Sequence, residues 1–252
     1  MPQIVAAGVR IEHAWIHGAE PTLVFLHEGL GSIRQWRDFP RQVAAATGCR
    51  ALVYDRYGYG NSDVLREARA GVDFMHVEAL ARLPELLKAL QVRNPILVGH
   101  SDGASIALIH AGRFPARGVA IMAPHVFTEP SGLESIRRIS AGFETSGLGE
   151  RLGKYHRDPR KSFHLWADAW LDPEFRKWNI EEFLPGIRCP VLAIQGEQDE
   201  YGTMAQLDAI ARQVGGPCEL LKLPDCGHAP FRDQPEKVLQ AMVSFIRKLL
   251  EK

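Results

Sequence analysis

Short, largely apolar runs recur along the chain at residues 22–26, 50–54, 96–98, 119–122, 191–195 and 219–223, with helical stretches between them. A run that is apolar at nearly every position, rather than at alternate ones, belongs to a strand covered on both faces. Such runs separated by helices belong to a parallel sheet. Ahead of them, residues 3–7 and 9–16 flank Gly8, with rough alternation in the second, which predicts an antiparallel edge hairpin. Leu80, Leu83, Leu86, Leu87 and Leu90 recur at spacings of three and four and predict a helix over 73–90, with Pro84 as a blemish. Ile106, Ala107 and Ile109 predict a second over 101–113, and an amphipathic helix over 236–250 follows Pro235. The expected fold class is α/β: a mostly parallel, twisted sheet flanked by helices on both faces.

Between residues 125 and 187 this alternation stops. No convincing strand is legible there, while Trp166, Trp170 and Trp178 accumulate. A structureless loop of that length is improbable in a folded domain. The expectation is a helical cap insertion over 125–187, lying on a core domain made of 1–124 and 188–252. It would cover the carboxyl ends of the strands, where open parallel sheets bind ligands.

Composition narrows the function classes. The chain has 252 residues, 46% hydrophobic and 24% charged, with 30 basic residues against 30 acidic. A zero net charge provides no field for gathering phosphates, which excludes sequence-independent nucleic-acid binding as an expectation. No apolar run is long enough to span a membrane and the first residues do not pattern as a signal peptide, so a cytoplasmic location with no membrane contact is expected. Cys49, Cys189, Cys218 and Cys226 form no CxxC pair, which suits free thiols in a reducing compartment better than a Cys218–Cys226 disulfide. His13, His17, His76, His110, His156 and His164 share no metal-ligand spacing and are expected on the surface or in packing, with no metal site.

Candidate chemistry begins at Gly99-His100-Ser101-Asp102-Gly103, a G-x-S-x-G that follows an apolar strand and opens a helix. In that context the serine sits in a strained turn with its hydroxyl exposed. A serine hydroxyl needs a base, and the base needs an orienting carboxylate. Asp199 and His228 each follow a later strand, on the same sheet edge as Ser101. Glu197 and Glu200 compete with Asp199 for the acid's role, and Asp199 could instead cap a helix near Thr203. The run Leu23 to Ser32 carries an apolar strand into a glycine-bearing turn. From it Gly29 is expected to offer one backbone N–H to a developing oxyanion, with the N–H of Asp102 as the second. The turn Tyr54 to Ser62, D-x-x-G-x-G-x-S, lacks a dinucleotide fingerprint and reads as structural. His100 and His125 fall nearest the expected site. With Glu28, Trp166 and Trp170 they form the candidate substrate pocket, and Phe163 is a further candidate for the apolar lining.

These ordered motifs resemble the α/β-hydrolase fold superfamily, specifically its capped serine hydrolases of the esterase and lactonase type. The resemblance maps His27 to Ser32 onto the oxyanion turn, and Asp55, Gly58, Gly60 and Ser62 onto a characteristic turn. It also makes Gly99 to Gly103 the nucleophile elbow, Asp199 the acid, and Gly227, His228, Pro230 and Pro235 the histidine loop. Two positions depart from the pattern. Glu28 stands where relatives carry glycine, which can place a carboxylate near the site. Asp102 stands where many carry an apolar residue or glutamine, and would disfavour an anionic group on the substrate if its side chain faced it. The resemblance implies hydrolysis of a carboxylic ester, thioester or lactone through an acyl-enzyme, with no cofactor and a small, largely apolar substrate as the partner. Carbon–carbon bond hydrolysis, cofactor-free perhydrolysis or non-hydrolytic ligand reception are the alternatives. Haloalkane dehalogenation and epoxide hydrolysis are disfavoured, because their elbow nucleophile is an aspartate. The oligomeric state stays open.

Overall fold

The computed structural model describes residues 1–67 and 70–251. Eight strands, β1 (Gln3–Ala6), β2 (Val9–Ile16), β3 (Ala19–Leu26), β4 (Cys49–Tyr54), β5 (Ile96–His100), β6 (Gly118–Met122), β7 (Val191–Gly196) and β8 (Cys218–Leu223), form one sheet in the order β1-β2-β4-β3-β5-β6-β7-β8. β1 and β2 pair antiparallel, as does β2 with β4, and every pairing from β4 across to β8 is parallel. β3 starts earlier than its apolar run, because exposed Ala19 already pairs with Cys49.

Successive strand residues face opposite sides of a sheet, and each side here has its own core. Val24, Leu26, Leu97, Val119 and Ile121 face one layer, which includes the helix Asp102–Ala111. Leu23, Phe25, Ile96, Val98 and Ala120 face the other, where Phe39–Thr47 and Pro235–Leu250 supply Val43, Val238, Met242, Phe245 and Ile246. The helix expected over 73–90 is interrupted: Phe74–Val77 and Leu83–Ala89 are α-helical, but Glu78–Arg82 is a wider π-helical turn. Pro84 has no N–H and its ring would press on the carbonyl four residues back, that of Leu80, which lies in the widened turn.

Between β6 and β7 the chain runs through the helices Pro130–Ala141, Leu148–Gly153 and Pro159–Leu171, then two 3₁₀ turns, Pro173–Lys177 and Glu181–Gly186. Among the described residues the only extended pairing there is the single bridge between Phe127 and Asn179. The last of these turns rests on the end of the helix Asp102–Ala111: a Cβ on Gly186 would lie 2.4 Å from the Gly112 carbonyl oxygen. Among the described residues no helix is long and apolar enough to cross a membrane. All four cysteines are free thiols.

Candidate active site

β5 ends at His100 and the helix Asp102–Ala111 begins two residues later, so the single residue between them makes the whole turn. That residue, Ser101, adopts φ 54° and ψ −120°, a left-handed backbone costing a non-glycine residue on the order of 1–2 kcal/mol. Its N–H donates to the Met122 carbonyl at 2.9 Å, and its carbonyl accepts from the Ala104 N–H at 2.8 Å. The helix can start this close to the sheet because position 103 is glycine, where a Cβ would lie 2.0 Å from the Leu26 carbonyl oxygen.

The late acid and the late histidine meet this serine. His228 Nε2 lies 2.9 Å from Ser101 Oγ, and His228 Nδ1 lies 2.8 and 2.9 Å from the two oxygens of Asp199. A carboxylate only accepts, so Nδ1 carries the proton and Nε2 is free to accept from the serine hydroxyl. Asp199 is held in turn by the Tyr201 N–H and by Gln195 Nε2, each at 2.9 Å. Glu197 and Glu200 are exposed and make no hydrogen bond to His228 among the described residues. Burial opposes the charge on Asp199, but the hydrogen bond and charge of His228 outweigh it and hold its carboxyl below the usual range. Burial likewise disfavours the imidazolium of His228, yet the hydrogen bond and charge of Asp199, helped by Glu200 and Glu28, leave its basicity above the ordinary value.

The turn after β3 is fixed from within. The Glu28 carbonyl accepts from His27 Nδ1 at 2.7 Å, from Arg56 Nη2 at 2.7 Å and from the Gly31 N–H at 3.0 Å. In a trans peptide the C=O and the following N–H point opposite ways. With the Glu28 carbonyl anchored toward Arg56, the Gly29 N–H therefore faces away from it, and Gly29 lines the same cavity as Ser101. Asp102 opens a helix, where N–H groups have no intrahelical acceptor. Neither N–H has a protein acceptor among the described residues. Glycine is required at 29, since a Cβ there would lie 2.2 Å from Trp166 Nε1.

The Asp102 side chain does not enter the cavity. Its Oδ1 accepts from Trp170 Nε1 at 3.2 Å and its Oδ2 lies 3.8 Å from Arg56 Nη2, with both side chains buried. Burial raises its carboxyl, against the opposing pull of Arg56 and Trp170. Its charge therefore faces Arg56 and the Trp170 indole rather than the cavity, so the condition for disfavouring an anionic substrate group is not met.

A cavity of about 220 Å³ opens above Ser101, somewhat below the usual range for drug-sized ligand sites. Trp166 and Trp170 line it, together with Leu30, Ile136, Ile139, Leu148 and Tyr201, and with Glu28 and His125. Two candidates fall outside this wall. Phe163 is fully buried and stacks on Phe143, with ring centroids 4.0 Å apart. His100 lies behind the wall, where its Nε2 donates to the His228 carbonyl at 2.7 Å and its Nδ1 lies 3.4 Å from Glu28 Oε2. As the last residue of β5, adjacent to Ser101, its side chain takes the opposite direction. Burial opposes ionisation of Glu28, but its hydrogen bond with His100 and the charge of Arg232, 3.5 Å away, hold the carboxyl well below the usual range. Asp55 pins the Tyr54–Ser62 turn to the segment that follows β3, accepting from the Ile33 N–H at 2.7 Å and the Asn61 N–H at 2.8 Å. Sequence reasoning missed Arg56, Tyr201 and the isoleucines of Pro130–Ala141. Only the first two carried any signal, by adjacency to Asp55 and to the acid.

Comparison with known proteins agrees with this architecture. The family model described as the alpha/beta hydrolase family matches residues 23–241. The 3-oxoadipate enol-lactonase 1 of Acinetobacter baylyi is 24% identical over 93% of this chain and 92% of its own length. An epoxide hydrolase of Caballeronia sordidicola is 26% identical over 81% of this chain and 57% of its own. Among solved structures, a thermophilic esterase from Thermogutta terrifontis superposes with a TM-score of 0.75 at 19% identity, covering 98% of each chain. The strand order, the serine elbow between β5 and its helix, and a family match over most of the sequence lead to one assignment: the chain belongs to the alpha/beta hydrolase family.

Proposed function

We propose that this hydrolase is a serine hydrolase cleaving a carboxylic ester, thioester or lactone of a small, largely apolar substrate through an acyl-enzyme. The observation that carries the reading is the unbroken chain Asp199–His228–Ser101, which opens into the same cavity as the free N–H of Gly29. His228 takes the Ser101 proton as Oγ attacks the carbonyl carbon, and returns it to the leaving alcohol, thiol or ring oxygen. Water then attacks the acyl-serine by the same proton route, releasing the acid. The N–H groups of Gly29 and Asp102 receive the oxyanion, each worth about a hundredfold or more in rate. Asp199 keeps the imidazole in the accepting tautomer. An aspartate at the elbow would instead support attack on an epoxide or haloalkane, and position 101 is serine.

Steady-state hydrolysis of a panel of short chromogenic esters tests this. Asp199→Asn is expected to lower kcat by about 10⁴-fold, while Glu197→Gln and Glu200→Gln, which change exposed carboxylates, stay near wild type. Equal losses in all three would remove Asp199 from its role. The pH profile provides a second check. Because the base must be neutral and Asp199 raises its basicity, activity should be lost as pH falls through a value above the ordinary imidazole figure of 6.5. A profile flat across that range would contradict a histidine base.

A further inference from the structure

His125 is the cavity residue that the proposed chemistry leaves unused. It follows β6 and is 4% exposed. Ser105 clamps its backbone from the helix Asp102–Ala111: Oγ lies 2.7 Å from the His125 carbonyl oxygen, to which it donates, and 3.2 Å from the His125 N–H, from which it accepts. The ring is thereby set into the cavity wall, 5.1 Å from Trp170 and 5.9 Å from His228 between centroids.

The other buried histidines around the site have both ring nitrogens engaged. His27 binds the Glu28 carbonyl and the Arg56 N–H, His100 binds Glu28 and the His228 carbonyl, and His156 binds the Gly60 N–H and the Leu30 carbonyl. The ring nitrogens of His125 have no hydrogen-bond partner among the described residues. Neither ring nitrogen is sealed inside the protein, so a group entering the cavity can supply the missing partner. The apolar part of the wall, Trp166, Trp170, Ile136 and Ile139, surrounds the ring, and the polar groups that share the cavity, Ser101, His228, Tyr201 and Glu28, make no hydrogen bond to it among the described residues. Burial, and then the nearby charge of His228, push its basicity down to about 3. At neutral pH the ring therefore offers one donor and one acceptor and no charge. It matches a neutral polar group rather than a carboxylate, and the ionised Glu28 across the same cavity works in the same direction.

We propose that His125 is a substrate-recognition residue that hydrogen-bonds a neutral hydroxyl or oxo group near the scissile bond. The preferred substrates would then be hydroxylated or oxo esters rather than plain alkyl esters. This inference rests on the serine-hydrolase reading only for turnover, since binding at His125 does not require the chemistry.

The experiment exchanges a methyl for a hydroxyl on either side of the ester: ethyl 3-hydroxybutyrate against ethyl 3-methylbutyrate, and 2-hydroxypropyl butyrate against isobutyl butyrate. The kcat/KM ratio is read in wild type, His125→Phe and Tyr201→Phe. Dissociation constants for the same four esters are read in Ser101→Ala and Ser101→Ala/His125→Phe. In at least one pair the hydroxylated ester should be favoured about tenfold, falling to a ratio near one when His125 is replaced. A ratio of one in both wild-type pairs, or a preference that survives His125→Phe and is lost in Tyr201→Phe, overturns the assignment. If wild type hydrolyses none of the four, they are not substrates of the proposed chemistry, and the binding comparison in Ser101→Ala still decides for or against His125.

Discussion

Ser101→Ala is expected to lower kcat on a short neutral ester by about 10⁶-fold, because removal of the nucleophile from a mutually dependent triad costs nearly as much as removal of the triad. That is about 8 kcal/mol of barrier. The residue lies outside the hydrophobic core and, among the described residues, its Oγ makes a single hydrogen bond, to His228. Folding stability should therefore change by no more than about 1 kcal/mol. The two readouts separate the cases: turnover collapses while the thermal or denaturant midpoint stays close to wild type. A variant that loses activity in proportion to lost folded protein would speak against a role for Oγ in chemistry. Whatever rate survives reports what the Gly29 and Asp102 N–H groups do without a nucleophile, since they are backbone and remain in place.

The second large effect is predicted for Arg56→Met, a substitution of similar length that keeps packing and removes the charge. Arg56 is 2% exposed. Its guanidinium stands over the Tyr59 ring at 4.6 Å, donates to the Glu28 carbonyl at 2.7 Å and faces Asp102 Oδ2 at 3.8 Å. Taking one partner from a buried ion pair leaves the other uncompensated and typically costs about 3–5 kcal/mol. Among the described residues, the Asp102 carboxylate would then keep only the Trp170 indole N–H. The stability loss should ease at acid pH: burial already raises the Asp102 carboxyl, and without Arg56 it would rise further, so protonation relieves the penalty as pH falls. Urea midpoints at two pH values measure this. Turnover should drop as well, because the Glu28 carbonyl loses its strongest anchor and the Gly29 N–H its orientation. A midpoint unchanged at neutral pH would show that the Arg56–Asp102 pair contributes little.

Much of the machinery was legible in the sequence because it lies in short segments attached to strand ends. An apolar run followed by G-x-S-x-G defines a strand, a turn and a helix within a dozen residues. Once the sheet is parallel, Asp199 and His228, each just past a later run, must fall on the same edge as Ser101. Among Glu197, Asp199 and Glu200 the residues alone left competitors and the resemblance favoured Asp199, the one whose carboxylate lies 2.8 and 2.9 Å from His228 Nδ1. Of the cavity wall, Glu28, His125 and the two tryptophans were named from the sequence, and the aliphatic remainder was not. Ile136, Ile139 and Leu148 belong to helices whose amphipathic pattern shows which face is apolar but not against what it packs. Arg56 was equally hidden: its partners come from positions 28 and 102, and only the fold brings those turns together. His100 and His125 looked equivalent in sequence and are not. Strand alternation sends the first behind the wall to hold the His228 loop, while the Ser105 clamp turns the second into the cavity.

The central claim, an activated nucleophile at Ser101, is tested most directly by intact-mass analysis after incubation with a fluorophosphonate probe, with wild type and Ser101→Ala side by side. The account predicts one adduct on wild type, at a rate that falls as His228 is protonated, and none on the variant. A folded wild-type protein that takes up no probe, or an adduct of equal yield on Ser101→Ala, would contradict it.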